Sequence, residues 1–352
     1  MITDIVKIFA PATLAFILGI AITPIVTHYL FLYKVWKKNP GKEALDGTEA
    51  TEFNKLHKAT EAHTPRMGGI VIWMSVLLTT TVLWVIASCF PQSPLAALDF
   101  VSRSQTWIPF STLILGALVG FLNDWYDVQY AGRGIRLRVR LLFVAALAFA
   151  VGWWFYEKLD VVAIGLPYDG EVYLGALIIP FFMLLALSLY ASGVIDGIDG
   201  LSGGVFATIF TAYSVITYYQ DQFDLAAFCA TVAGAILAFL WFNIPPARFW
   251  MTETGTMALT LTLAVVVFMS DNLGTGVGIA VLPIIGLPLV VTVLSNIVQL
   301  TAKKVWGRKV LYVAPLHHHF EAMGWPGYKV TMRYWIISII CAIVGMTIAL
   351  TA

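Results

Sequence analysis

Charge is what this chain has least of. Asp, Glu, Lys and Arg make up only 12% of its 352 residues, and 59% of the residues are hydrophobic. The mean hydropathy is +0.84. Soluble domains carry about 25% charged residues, so the shortage excludes an ordinary water-soluble globule. Neither sign of charge prevails: 21 basic and 20 acidic residues leave a formal net charge of +1. That balance excludes the dense basic stripe of a nucleic-acid-binding surface. Cysteine is scarce as well. Cys89, Cys229 and Cys341 are odd in number, sit in or at the edge of apolar runs and have no metal-ligand spacing. They exclude a disulfide framework and a thiolate metal site, and they predict buried, inert thiols. Internal repeats and low-complexity linkers are missing too. The first apolar run, about 8–33, is longer than a secretory h-region and has no clear small-residue cleavage site, so it reads as a membrane span.

What is present is a succession of long apolar runs. They fall near 8–33, 68–89, 107–122, 139–156, 173–195, 203–219, 225–242, 256–270, 277–301 and 334–351. Runs of this length read as membrane-spanning helices, because inside a bilayer the peptide groups can be satisfied only within the segment. The even number of spans puts both termini on one side. All but three of the basic residues lie in alternate connections, 34–66, 123–138, 243–255 and 302–333, with Arg140 just inside the next span; the exceptions are Lys7, Arg103 and Lys158. The positive-inside bias makes those connections cytoplasmic and both termini external. Segment 157–172, with Gly165, Pro167, Asp169-Gly170 and the alternation Glu171-Val172-Tyr173, suits a small external hairpin. The expected fold is an all-α integral membrane protein of about ten transmembrane helices. Residues 1–352 form one polytopic domain with its active site on the cytoplasmic face.

Four polar clusters share that face: Asp124 and Asp127, Asp196 and Asp199, Glu253, and His317-His318-His319. Ionisable residues at span ends are a functional hypothesis by default. Lys and Arg alone define the topology, so the agreement of these clusters with it is independent. Both Asp pairs are spaced i, i+3, which puts the carboxylates on one face wherever the backbone is helical. Carboxylates with histidines and few cysteines suit a hard ion such as Mg²⁺ better than zinc, and Mg²⁺ in turn suggests a phosphate-bearing substrate. Each cluster also has a bland reading. Paired carboxylates can be solvated caps, Asp-Gly-x-Asp-Gly can be a turn, and Gly68-Gly69 can be helix packing. Three consecutive histidines make a poor single-metal site, because neighbouring helical side chains diverge by about 100°. Convergence of all four clusters on one face outweighs these alternatives.

The residues also carry a resemblance. Pro315-Leu316-His317-His318-His319-Phe320-Glu321, followed by Gly324-Trp325 and Arg333-Tyr334-Trp335, resembles the bacterial phospho-N-acetylmuramoyl-pentapeptide transferases. His63-Thr64-Pro65-Arg66-Met67-Gly68-Gly69 resembles their Thr-Pro-Thr-Met-Gly-Gly signature. Asp196-Gly197-Ile198-Asp199-Gly200-Leu201 resembles their Asp-Gly-Leu-Asp-Gly-Leu, and 243–255 resembles the segment after their seventh span. The histidine motif is the most specific of these, the Asp-Gly motif being shared across the wider polyprenyl-phosphate sugar-phosphate transferase superfamily. The resemblance implies Mg²⁺-dependent transfer of phospho-MurNAc-pentapeptide from UDP-MurNAc-pentapeptide to undecaprenyl phosphate, giving lipid I and UMP in the bacterial inner membrane, with a homodimer as the assembly. It implies roles as well. Asp124 activates or positions the lipid phosphate and joins Glu253 at the metal. Asp196, His317 and His318 make catalytic or phosphate contacts. Asn243, Gly197, Ile198, Asp199, Trp250 and His319 contact the substrate, with Trp250 stacking on uracil.

Departures from the family pattern are numerous. Asn123 stands where the first Asp of a pair is usual, Asp127 where Lys is common, Tyr190 and Gly193 where two Asn precede Asp196, and Thr252-Glu253 where Gly-Asp is usual. An Asn can act neither as base nor as nucleophile. Arg66 replaces a nucleotide-contacting Thr and offers a bidentate donor for a diphosphate. Two rival functions follow: a sibling transferase that moves another UDP-N-acetylhexosamine phosphate onto a polyprenyl carrier, and a transporter or degenerate lipid-binding scaffold.

Overall fold

The computed structural model describes residues 2–38, 41, 54, 63–130, 134–168, 170–272 and 276–352. Of the basic residues in the connections above, Lys42, Lys55, Lys58 and Arg133 lie outside the described set, as does Asp169 of the expected hairpin. The apolar runs form helices because the chain alone satisfies their peptide groups. In order they are α1 (Ile2–Leu32), α2 (Ile70–Cys89), α3 (Trp107–Gln129), α4 (Leu137–Leu159), α5 (Ile178–Ser192), α6 (Leu201–Tyr219), α7 (Phe223–Asn243) and α8 (Thr252–Asn272). They continue with α9 (Gly278–Ile285), α10 (Leu287–Trp306), α11 (Leu316–Ala322) and α12 (Gly327–Thr351). Hydroxyls inside these runs are satisfied the same way. Thr80, Thr112, Thr231, Thr260, Thr262 and Thr292 each donate to the carbonyl four residues back at 2.7–2.8 Å.

Nine helices of the described residues are long and apolar enough to cross a membrane. The ninth expected run, 277–301, is not one straight helix. It breaks at Gly286 into α9 and α10, which meet at 70°. The sequence carries the cause: Pro288 follows Leu287 at the start of α10 and Pro283 lies inside α9, and proline both removes a backbone donor and disfavours helical geometry in the residue before it. The expected hairpin is present. β1 (Ala163–Gly165) pairs antiparallel with β2 (Glu171–Tyr173), Ala163 opposite Tyr173 and Gly165 opposite Glu171. The thiols are only partly as expected: all three are free, but Cys229 alone is buried and Cys89 is exposed at the end of α2.

Helices α6, α7 and α8 form the centre, 78%, 83% and 89% of their apolar windows being buried, against 22–44% for the other spans. Around them α1 packs on α7, α3 on α8, α12 on α6 and α4 on α5. The two ends of the bundle differ. At one, Lys7 pairs with Asp224 at 2.6 Å, and Gln105 accepts from the first amides of α7. Asp271 there ties the hairpin to the core, accepting from the amides of Gly165 and Ile279, each at 3.1 Å. The four polar clusters collect at the other end. What brings them together is backbone contact between α3 and α8. A β-carbon built on Gly120 would lie 2.1 Å from the carbonyl oxygen of Glu253, so α3 reaches the first turn of α8 only because position 120 lacks a side chain.

Gly120→Ala is expected to destabilise the protein by about 1–3 kcal/mol through overpacking. A lowered thermal midpoint in detergent checks this, with Gly152→Ala as the tolerated control, since its β-carbon would meet nothing closer than 3.4 Å.

Candidate active site

Asp124 lies fully buried in the last third of α3. A buried carboxylate needs its whole compensation from the protein, and the first turn of α8 supplies most of it. Oδ2 accepts from the Thr252 hydroxyl at 2.6 Å, the Thr254 amide at 2.8 Å and the Thr254 hydroxyl at 2.7 Å. An anion is favourable there because a helix N-terminus presents unpaired amides and a positive dipole end. The other oxygen, Oδ1, faces the Asn123 amide at 3.4 Å and the Arg66 guanidinium at 3.5 Å. Arg66 also reaches Asp127 at 3.3 Å. Both carboxylates of this i, i+3 pair therefore do share one helical face, and one guanidinium lies between them. The substitution of Asn at position 123 has a local use: its Oδ1 accepts from the Ile135 amide at 3.0 Å, closing the connection between α3 and α4.

Arg66 is delivered by a strand-like contact. The Trp250 amide donates to Pro65 at 2.9 Å, Gly68 donates to Trp250 at 2.7 Å, and Gly69 donates to Met251 at 3.2 Å. The Met67 amide donates to the Thr252 hydroxyl at 3.1 Å. Met67 and Thr252 both take positive φ, 67° and 53°, a conformation that costs an L-residue about 1–2 kcal/mol and persists under the surrounding hydrogen bonds.

The second Asp pair is not helical. After α5 the chain turns, Gly200 takes φ +75°, and the two carboxylates point to different partners. Asp196 accepts from the Ser202 hydroxyl at 2.7 Å and the Thr252 amide at 2.8 Å. Asp199 accepts from the Ala247 amide and the Trp250 indole, each at 2.9 Å. The turn reading of Asp-Gly-Ile-Asp-Gly is thus right in shape, while its carboxylates organise the site: Asp199 fixes the plane of Trp250, and Asp196 fastens the turn to α8. Buried Asn243 holds the same turn from α7, accepting from Gly200 at 3.0 Å and donating to Phe249 at 2.8 Å. Ile198 is buried beneath it. The last span closes the turn from above, Thr331 donating to the Asp199 carbonyl at 2.9 Å and Trp335 to the Gly200 carbonyl at 3.1 Å.

The histidines depart from the divergence expected of neighbouring helical positions. In the short helix α11, His317 and His318 are both buried with ring centroids 4.4 Å apart. A β-carbon built on Gly197 would lie 2.6 Å from the Nε2 atom of each. Two imidazole nitrogens thus meet over one glycine, and only a glycine leaves them room. His318 is oriented through Nδ1 by Glu321 at 2.8 Å. His319 turns away: its Nδ1 accepts from the Tyr312 amide at 3.2 Å and its ring stacks on Tyr312. Trp325 and Arg333 hold α11 against α12, with Phe320 stacked on one side of Trp325 at 4.9 Å and the Arg333 guanidinium 4.1 Å from its ring centre.

Glu253, on the first turn of α8, forms an ion pair with Arg140 of α4. In the sequence Arg140 marks topology as one of the basic residues on the cytoplasmic side. A charge inside an apolar span is also the signal of a buried partner. Thr252 and Thr254 left no such signal, since their role depends on which helix lies beside α8.

With Asp124 held by three donors and a guanidinium, and Glu253 by Arg140, neither expected metal ligand stands open toward a cation. Among the described residues no group of three or more His, Cys, Asp or Glu is placed to hold a metal ion.

The sequence pattern of glycosyl transferase family 4 matches residues 106–271, which include Asp124, Asp196, Asp199 and Glu253. A phospho-N-acetylmuramoyl-pentapeptide-transferase of Chloroflexus aggregans is 31% identical, the match covering 99% of this chain and 91% of that protein. The chain belongs to the phospho-N-acetylmuramoyl-pentapeptide-transferase family. A member from Bacillus cytotoxicus is 31% identical over 96% of both chains, and one from Geobacillus thermodenitrificans is 33% identical over 84% of this chain and 87% of its own. Within this family's framework the chain brings together Arg66, Asp124, Asp196, Asp199, Asn243, Trp250 and Glu253 around one helix start, with His317 and His318 on the turn beside it, and it leaves His319 facing the loop behind.

Thr254→Val is expected to cost about 1.5–3 kcal/mol, because it deletes a hydrogen bond to a buried charged carboxylate. Thermal unfolding in detergent measures this against Thr262→Val, whose hydroxyl donates to the Ala258 carbonyl of its own helix.

Proposed function

We propose that this protein transfers phospho-MurNAc-pentapeptide from UDP-MurNAc-pentapeptide to undecaprenyl phosphate, releasing UMP and forming lipid I. The observation that carries the reading is the pair of imidazole nitrogens converging on Gly197, inside a family whose members bear the transferase name along the whole chain. In the reaction an oxygen of the lipid phosphate attacks the sugar-linked phosphorus. The bond between that phosphorus and the bridging oxygen breaks, and the electron pair leaves with UMP. Since the nucleophile is already an anion, the protein's work is positioning and offsetting charge. His317 and His318 are the donors for phosphate oxygens. Trp250, its indole fixed by Asp199, offers the aromatic face for the base. Asp124 orders the start of α8 around them.

The membrane placement supports the same reading. The Lys- and Arg-rich connections lie at the end of the bundle that holds the site, so we place that end in the cytoplasm of a bacterial inner membrane, with both termini outside. A water-soluble nucleotide arrives from that side while the lipid phosphate enters from the bilayer. A homodimer is the assembly we propose, which light scattering of the detergent-solubilised protein checks.

UMP release with a panel of UDP-sugars tests the substrate. Turnover is expected with UDP-MurNAc-pentapeptide and undecaprenyl phosphate. Turnover with UDP-GlcNAc alone would make this a sibling hexosamine-phosphate transferase, and none with any UDP-sugar would leave a binding scaffold. His318→Ala and Gly197→Ala are each expected to lower kcat about 100-fold or more, the second by displacing both imidazoles without removing either.

A further inference from the structure

The carboxylates where a divalent cation would be expected are met by guanidiniums instead. Arg140 crosses from α4 to Glu253 on α8, and Arg66 crosses from the segment before α2 to Asp124 and Asp127 on α3. Each is a contact between distant parts of the chain. None of these side chains is more than about a quarter exposed, and arginine keeps its charge at any physiological pH. A hard cation such as Mg²⁺ needs near-octahedral oxygens at about 2.0–2.1 Å. On Asp124 such an ion would have to displace hydroxyl and amide donors standing 2.6–2.8 Å from Oδ2, or the Arg66 guanidinium 3.5 Å from Oδ1. On Glu253 it would have to expel Arg140 or share one carboxylate with a like charge. Asn123 removes a further negative charge from the same spot and spends its amide on Asp124 and Ile135.

We propose that Arg66 and Arg140 take the place of the divalent cation here, so that transfer proceeds with no metal ion on Asp124 or Glu253. The proposal rests on the transferase reading of the site. Arg140 acts as a positioning residue through Glu253, and Arg66 does so through Asp124 and Asp127. The two guanidiniums offset two of the three carboxylate charges that would otherwise repel an incoming diphosphate. Among the described residues the buried Arg140 Nε atom has no hydrogen-bond partner, so its pairing with Glu253 leaves donor capacity uncommitted. A planar guanidinium suits phosphate oxygens as well as carboxylates.

Full-length protein in lipid nanodiscs, stripped with EDTA, tests this in two independent ways. In the UMP-release assay, wild-type turnover is expected to be the same in EDTA as in MgCl2. Loss in EDTA restored by Mg²⁺ would overturn the proposal. Arg140→Ala is expected to lose about 100-fold in EDTA and to regain part of that with Mg²⁺, because Glu253 is then open to the ion. Arg140→Lys, which keeps the charge, is expected to stay metal-independent and serves if the alanine variant does not fold. The second readout is Mn²⁺ titration followed by electron paramagnetic resonance. Wild type is expected to bind no Mn²⁺ that Glu253→Gln abolishes, whereas Arg140→Ala is expected to bind one equivalent that the added Glu253→Gln removes. Stoichiometric Mn²⁺ on wild type that disappears in Glu253→Gln would overturn the proposal whether or not turnover is detected. Absence of turnover with every UDP-sugar in both buffers would instead sink the transferase reading.

Discussion

A carboxylate with no exposure to water has to be answered entirely by protein, and the answer given to Asp124 dictates how this end of the bundle is built. Three donors on one oxygen come from the first turn of α8, so α3 and α8 must meet at that level. They can do so only because Gly120 brings the two backbones into contact. The same turn then serves everything else. Its Thr252 amide takes Asp196, its Thr252 hydroxyl takes the Met67 amide, and its Glu253 takes Arg140. That start of α8 is therefore the shared contact of the Asp-Gly turn, the segment bearing Arg66 and helix α4. Anions gather there for a general reason: a helix start with unpaired amides is the least costly place in an apolar interior to put negative charge.

Most of the architecture was legible in the sequence because bilayer thickness imposes a length on every apolar run. Nine runs of the expected order are helices of that length, and the hairpin appears where Gly, Asp and alternation predict it. The exception is instructive. The run 277–301 has the right length and hydropathy, yet Gly286 and Pro288 break it, and a hydropathy average does not register a change of direction. The gathering of the polar clusters at one end was legible too, since Lys and Arg counts alone located them. Their internal wiring was not. Spacing of i, i+3 describes Asp124 and Asp127, which lie in a helix, and fails for Asp196 and Asp199, which lie in a turn.

The histidines show why local geometry alone misleads. An angle of about 100° between neighbouring helical positions argued that His317 and His318 point apart. They meet because Gly197 leaves a gap that both rings fill, a fact that belongs to a segment 120 residues upstream. Arg140 and Glu253, 113 residues apart, are hidden in the same way. Each looks like an isolated charge at a span end until the packing of α4 beside α8 joins them. A single sequence shows which residues are chemically unusual, and only the fold shows which of them answer one another.

The closing of the Asp-Gly turn by Thr331 and Trp335 of α12 bears on the order in which the molecule is made. Synthesis runs from the N-terminus, so the turn, α8 and the strand-like segment all enter the membrane before α12 exists. The histidine helix α11 is placed only once α12 anchors it through Trp325 and Arg333. A chain that has not yet completed α12 therefore carries its carboxylates before its imidazoles are anchored and before Gly200 is covered.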